Sequence, residues 1–245
     1  MTKNFYENTY KIRYSEVDCN LSLKPSSLLQ LLQDIASENA ENLGFGYSFL
    51  VEKNLGWFLL KLHLEFDNYP EDVYNLTIKT EPRGWNRLFA HRDFELLNGS
   101  QSLGKAATTW GLIDLNSKSM TNIGEVLADN PRFTPFEKRD DDLKYNKILS
   151  CEDFDSEKIF EIRFDDIDVN QHVNNSNYLV WAFETLDYDF RRNKKLKTLD
   201  MTFKKEIKYG NRILSQLKFV EDKTVHVLKN AENGDELCLV QAQWI

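Results

Sequence analysis

Residues 165–175 read DDIDVNQHVNN, a run holding one histidine, three asparagines and three aspartates. Imidazole and carboxylate groups within hydrogen-bond reach of a water molecule serve as general bases, and amide side chains orient what the bases activate. In extended backbone alternate residues share a face, so the spacing places Asp166, Asp168, Asn170 and His172 in one polar row. The row ends where helical periodicity begins, with Asn174 and Asn175 as candidate N-caps. Free backbone N–H groups and the positive end of a helix dipole then lie beside His172, a setting suited to an oxyanion. A plainer reading stands next to this one: Asp and Asn cap helices well, and a histidine at such a junction closes a turn.

The chain carries its own comparison. Residues 10–20, YKIRYSEVDCN, align without a gap to residues 160–170, FEIRFDDIDVN. Ile12, Arg13, Asp18 and Asn20 recur as Ile162, Arg163, Asp168 and Asn170. Farther along, Leu21 and Ser22 stand where the second copy has Gln171 and His172. Residues that only shaped the junction would be needed in both copies, so the asymmetry reads as one site that kept its chemistry and one that relaxed.

The elements around the two runs repeat as well. Pro25 suits a first helical turn, Leu28, Leu32, Ile35 and Ala36 form a stripe, and Gly44 is a stop signal. In the second half Tyr178, Trp181, Ala182, Thr185 and Leu186 form the corresponding stripe. Four strand patterns follow each helix: GWFLLKLHLEF, VYNLTIKTEP, AHRDFELL and KAATTWGLIDL, then LDMTFKKEIKY, RILSQLKFVE, TVHVLKN and ELCLVQAQWI. Asn98-Gly99 and Asn233-Gly234 supply hairpin turns. An antiparallel sheet preceded by one amphipathic helix buries both apolar faces by curling around it. The expected architecture is an α+β duplication, with one unit over 1–115, a turn-rich acidic linker over 116–158 and a second unit over 159–245.

Composition narrows the function. The 245 residues are 41% hydrophobic and 29% charged, a globular balance. A net charge of −8 argues against general nucleic-acid binding. No run approaches the ~20 apolar residues of a membrane span, and the N-terminus lacks a signal-peptide h-region, which points to the cytoplasm. Three cysteines without ligand spacing, Cys19, Cys151 and Cys238, suggest neither disulfides nor a metal site and read as small buried hydrophobes. His63, His91 and His226 lie in strand patterns without informative partners and read as structural. Trp57, Trp85 and Trp110 are lining candidates for an apolar tunnel, with core packing the default. Residues 191–208 hold eight lysines and arginines, either a solvated face or a dock for an acidic partner.

DIDVNQHVNNSNYL followed by FKKEIKYG resembles the signature of acyl-acyl-carrier-protein thioesterases of plants and bacteria, and EPRGWNRLFAHRDFEL resembles a first-half segment of the bacterial members. Glu81 departs from the tryptophan usual there. The resemblance implies a double hotdog fold, two tandem units each with a sheet wrapped around a long helix, and hydrolysis of a fatty acyl thioester. It places the polar signature on Asp168, Asn170 and His172 and a glutamate on the strand after the helix at Glu206. Plant members have a cysteine directly after that glutamate; here it is Ile207, which disfavours a cysteine nucleophile. A thiolate of pKa about 8.5 leaves readily, so activating water is the harder task. On this reading Glu206 with Asp168 positions and deprotonates water, His172 shares the proton, and Asn170 orients water or thioester. No cofactor is implied, acyl carrier protein is the loaded partner, the first unit holds the acyl chain, and the chain is a monomer or homodimer. Coenzyme A thioesterases, hotdog hydratases and non-catalytic acyl-lipid binders remain open alternatives.

Overall fold

Alternation and tight turns make the last three strand patterns of each half a meander, the first pattern crosses over to pair with the last, and the two sheets so formed join edge to edge. The computed structural model describes residues 5–72, 74–149, 151–169 and 171–245. The first half comprises β1 (Tyr6–Lys11), α1 (Pro25–Asn42), α2 (Tyr47–Lys53), β2 (Leu55–Phe66), β3 (Asn75–Asn86), β4 (Phe89–Asn98) and β5 (Gln101–Asp114). A connecting stretch holds β6 (Ser119–Met120) and α3 (Ile123–Val126). The second half comprises β7 (Ser156–Glu161), α4 (Asn175–Phe183), α5 (Tyr188–Asn193), β8 (Leu196–Phe203), β9 (Arg212–Val220), β10 (Lys223–Asn230) and β11 (Glu236–Trp244).

The strand order is β1-β3-β4-β5-β2-β8-β11-β10-β9-β7, with β6 paired to β5 off this path. The order is symmetric about the seam between β2 and β8, which pair antiparallel from Lys61 opposite Thr202 to Glu65 opposite Thr198. Two antiparallel units thus share one continuous sheet. Leu62, Leu64, Leu199 and Met201 from the seam join Leu28, Leu32, Ile35, Tyr178 and Ala182 from the helices in one buried cluster. The amide of Asn175 donates to Gln33 Oε1 at 2.9 Å and that of Gln30 to Ser176 Oγ at 3.0 Å, tying α4 to α1.

Three boundaries differ from the sequence pattern. The second helix has 9 residues against 18 in α1, because Thr185 bonds back to the Ala182 carbonyl through both N–H and hydroxyl and Asp187 caps a new turn. Leu186 and Thr185 stay buried, so the apolar stripe outlasts the helix. Strand β8 stops at Phe203 and leaves Glu206 in coil, since Lys204 and Lys205 both donate to the single Leu237 carbonyl and break the ladder. Strand β7 begins at Ser156, inside the expected linker. Ile123, Leu127 and Phe133 pack with Ala40 and Phe45 at the end of α1, and residues 139–149 then form a strap on the sheet face opposite the helices. Arg139 makes paired bonds to Glu81 at 2.8 and 2.9 Å, Tyr145 accepts from Thr109, Asn146 donates to Asp200, and the Leu149 N–H reaches Gln241.

Candidate active site

The polar run folds as a tight hairpin instead of the extended row its spacing suggested. Phe164–Asp166 form a 3₁₀ turn, and the buried Asp166 carboxylate folds back to accept from the Arg163 N–H and guanidinium, both at 2.7 Å. Asp166 is thereby removed from the row. Asp168 donates its N–H to the His172 carbonyl at 2.8 Å, and its carboxylate accepts the His172 N–H at 3.3 Å, with Gln171 at φ 63° between them. The first copy repeats this: Asp18 bonds the Ser22 carbonyl at 2.9 Å and the Ser22 N–H at 3.0 Å, with Leu21 at φ 60°. An aspartate here shapes the hairpin in both units, which accounts for its recurrence without a histidine. Asn170 lies outside the described residues. Asn174 is the N-cap of α4, accepting the Ser176 N–H at 2.9 Å, whereas the Asn175 side chain turns to α1.

Glu206 reaches His172 because the Val173 N–H bonds the Ile207 carbonyl at 3.2 Å and the Ile207 side chain is buried in the core. The Glu206 Oε2 approaches His172 Nε2 to 3.3 Å. Burial first, and then the Asp168 charge, push the Glu206 carboxyl up to about 7, against the pull of Lys208. Burial, aided by Lys208 and Lys118 and opposed by Asp168, lowers the His172 imidazole below its ordinary value. Both groups are driven toward their neutral forms, which weakens any ion pair between them at neutral pH and leaves two titratable groups side by side. His172 Nδ1 is buried without a hydrogen-bond partner among the described residues.

Symmetry shows what became of the other site. The Leu23 N–H bonds the Pro70 carbonyl at 2.9 Å, as Val173 bonds Ile207, so Tyr69 occupies the position of Glu206. Its ring lies 4.8 Å from that of Phe66 and its hydroxyl donates to the Leu23 carbonyl at 2.8 Å. Ser22 replaces His172 and faces Glu71 at 3.4 Å. A tyrosine plugs the relaxed site.

The apolar interiors are asymmetric in the opposite sense. Between α1 and the sheet of the first unit lies a half-open pocket of about 70 Å³, walled by Ala36, Ala40, Phe45, Trp57, Trp110 and Phe133. In the second unit Phe183, Phe190 and Trp244 interlock with ring centroids 5.3 and 5.4 Å apart. Because β8 runs antiparallel to β2, the segment bearing Glu206 leaves β8 toward the start of β2, where Trp57 stands. Trp57 and Trp110 are thus cavity walls, while Trp85 instead donates to the Phe133 carbonyl. Cys238 is buried as expected, but Cys19 is exposed and Cys151 half-buried. His63 has partners that spacing could not show: Asp200 at 2.7 Å and Glu65 at 2.8 Å. Half of the basic run is internally paired, Arg191 to Glu184, Lys195 to Glu71, Lys204 to Glu236 and Lys205 to Asp235. Among the described residues no group of three or more His, Cys, Asp or Glu side chains is placed to hold a metal, and no helix is long and apolar enough to cross a membrane.

Comparison with known proteins agrees with this arrangement. Residues 3–129 match the acyl-ACP thioesterase N-terminal domain and residues 150–245 match the C-terminal domain. The chain is 23% identical to oleoyl-acyl carrier protein thioesterase 2 of Arabidopsis thaliana over 98% of its own length and 76% of that protein. It spans 60% of the length of two further plant oleoyl-acyl carrier protein thioesterases. Its fold matches a 12:0-ACP thioesterase from Umbellularia californica with a TM-score of 0.86 and 19% identity, covering 100% of this chain and 98% of that one. An acyl-ACP thioesterase from Bacteroides thetaiotaomicron gives a TM-score of 0.84 with 22% identity, over 99% and 98% of the two chains. With both of its halves matched, the chain belongs to the acyl-ACP thioesterase family and has its double hotdog fold.

Proposed function

We propose that the chain hydrolyses fatty acyl thioesters of acyl carrier protein to free fatty acid, with Glu206, His172, Asp168 and Asn170 as its working residues. The observation that carries this reading is the approach of His172 to Glu206 at 3.3 Å in one unit, where Tyr69 fills the corresponding place in the other. Glu206, poised near neutrality, takes a proton from water as that water attacks the thioester carbonyl. His172 shares the proton, and Asp168 holds the hairpin that presents His172 while biasing both groups electrostatically. Asn170 orients water or thioester. The developing oxyanion faces the start of α4, where Asn175 offers an N–H at the position that Pro25 leaves without one in α1. The thiolate leaves without a protonated side chain to assist it.

The first-unit cavity receives the acyl chain in this reading, and the first and second units divide binding from chemistry along the boundaries 1–115 and 159–245. The exposed, unpaired thiol of Cys19 suits a reducing compartment such as the cytoplasm. The β2–β8 seam supplies within one chain the pairing that a dimer of single units would make, which supports a monomer, with a homodimer of the whole chain as the other reading. Thiol release from a panel of acyl carrier protein esters tests the activity. His172→Ala should cut turnover by two or more orders of magnitude, roughly the worth of a general base, with little change in melting temperature. Wild-type turnover in that variant would end the assignment.

A further inference from the structure

The backbone is held on both sides of Glu206. Before it, Lys204 and Lys205 donate their N–H groups to the Leu237 carbonyl at 2.8 and 3.3 Å; after it, the Ile207 carbonyl accepts the Val173 N–H at 3.2 Å. The Ile207 N–H finds its partner on α4, in the hydroxyl oxygen of Tyr178. Tyr178 is 2% exposed, and its ring stands perpendicular to Phe203 at the end of β8, with centroids 5.6 Å apart, and edge-on to Trp181 at 5.8 Å. Burial first, and then the neighbouring Cys238, Glu206 and Asp168, raise the phenol above its ordinary 10, so it is a neutral hydroxyl at any working pH.

The first unit lacks this contact at both ends. Its coil follows the same path: Asp67 and Asn68 donate to the Leu103 carbonyl at 2.9 and 3.2 Å, and the Pro70 carbonyl accepts the Leu23 N–H. Pro70 therefore stands where the second unit has Ile207, and proline has no N–H to give. The 150-residue offset that relates the two runs puts Leu28, 1% exposed, at the place of Tyr178. Donor and acceptor are missing together, in the unit where Tyr69 replaces Glu206. A leucine fills the space and the coil keeps its path, so neither packing nor path explains the hydroxyl. What distinguishes the second unit is the carboxylate one residue before the bonded N–H.

From the bond between the Ile207 N–H and the Tyr178 hydroxyl, present beside Glu206 and absent beside Tyr69, we infer that Tyr178 is a positioning residue that aims the Glu206 carboxylate by fixing the peptide that follows it. This rests on the thioesterase reading above and adds a residue to its machinery. Glu206 lies in coil, outside the ladder that would otherwise hold it, and its side chain is 40% exposed. A base on such a segment keeps its aim only if neighbouring groups lock the backbone, and a misplacement of about 1 Å costs on the order of 100-fold in rate. Tyr178 supplies that lock from the first turns of α4, the helix whose start faces the reacting carbonyl.

The test is Tyr178→Phe, which keeps the ring against Phe203 and Trp181 and removes only the hydroxyl. With acyl carrier protein esters, kcat should fall by on the order of tenfold or more while KM stays within about twofold. The pH profile is the readout that a merely structural tyrosine would not move. Asp168 and His172 face Glu206 from the hairpin, Lys208 from its own coil and Tyr178 from α4, with Lys118 bearing on His172. Only Tyr178 changes in the variant. A loosened Glu206 gains water, its carboxyl falls from about 7 toward the ordinary 4.5, and the rise of kcat/KM moves to lower pH. In a Glu206→Gln background the same change should cost no further rate, because the two residues act as one unit. Wild-type kcat and an unmoved profile in Tyr178→Phe overturn the inference and leave the thioesterase reading standing, and so does a full second loss in the Glu206→Gln background. If the wild-type protein releases thiol from no ester, the thioesterase reading fails and the positioning role falls with it. Should Tyr178→Phe fail to fold, hydrogen exchange at the Ile207 amide of the wild type decides: protection supports the lock, and exchange at the rate of open coil overturns it.

Discussion

Glu206 makes the chemistry testable by pH alone. Its carboxyl is pushed up to about 7 from an ordinary 4.5, so the basic form needed to accept a proton from water is gained as pH rises through neutrality. The expected kcat/KM profile climbs around pH 7, and Glu206→Gln should abolish the climb along with most of the rate. A profile unchanged in that variant would transfer the role of base to another group. The same shift makes a stability statement. A group whose pKa is higher folded than unfolded stabilises the fold fully below the unfolded value and loses that contribution as pH rises through the folded one. Glu206→Gln should therefore unfold like the wild type near pH 4 and be more stable at pH 8, by on the order of 1 kcal/mol once screening is allowed for, since the Glu206 side chain is 40% exposed. Loss of activity together with gain of stability is the signature of a strained functional carboxylate, and a merely structural Glu206 would not give both.

Among the elements, α1 carries the burden that α4 has given up. Its second half, beyond Gln33, supplies Ala36 and Ala40 to the cavity wall, while α4 ends where that stretch would begin and aromatic rings fill the space. Enlarging Ala40 to leucine fills part of the cavity from a well-formed helix. Turnover of the longest esters accepted should fall by on the order of tenfold while shorter ones are spared, and the melting temperature should hold. A uniform loss across chain lengths would place the acyl chain elsewhere. The elements also show where residue patterns stop being informative. Strands β2 to β5 and β9 to β11 are legible because alternation and the Asn-Gly turns coincide with them. The end of α4 is not, since Thr185 and Leu186 continue the apolar stripe after the Thr185 hydroxyl has closed the helix. The repeat exposes His172 by comparison with Ser22. It does not expose Tyr69 as the counterpart of Glu206, because that correspondence runs through Pro70 and Ile207 after loops of different length, and only the paired backbone bonds to Leu23 and Val173 reveal it.

For the whole molecule the seam between β2 and β8 decides whether the two units behave as one. His63 and Asp200 are direct partners in that register and both are buried. His63 donates or accepts on both ring nitrogens, toward Asp200 at 2.7 Å and Glu65 at 2.8 Å, and Asp200 also receives the Asn146 N–H at 3.1 Å and its amide at 3.0 Å. One cluster therefore joins the first unit, the second unit and the strap. Burial by itself would lower the His63 pKa, but the hydrogen bonds and charges of Asp200 and Glu65 outweigh it and raise the value above the ordinary 6.5. The stabilisation from a protonated His63 is thus complete below about pH 6.5 and fades as pH rises through the raised folded value. Asp200→Ala removes the buried partner of His63 and leaves it only the half-exposed Glu65, and loss of one partner of a buried ionic pair costs about 3–5 kcal/mol. In a chain of this size the melting temperature should fall by roughly 10 °C, more at pH 6 than at pH 9. Calorimetry should still show one transition, because the sheet and the apolar cluster run through both units without a break. Two separate transitions in the wild-type protein would mean that the units fold independently and that the seam only holds them side by side.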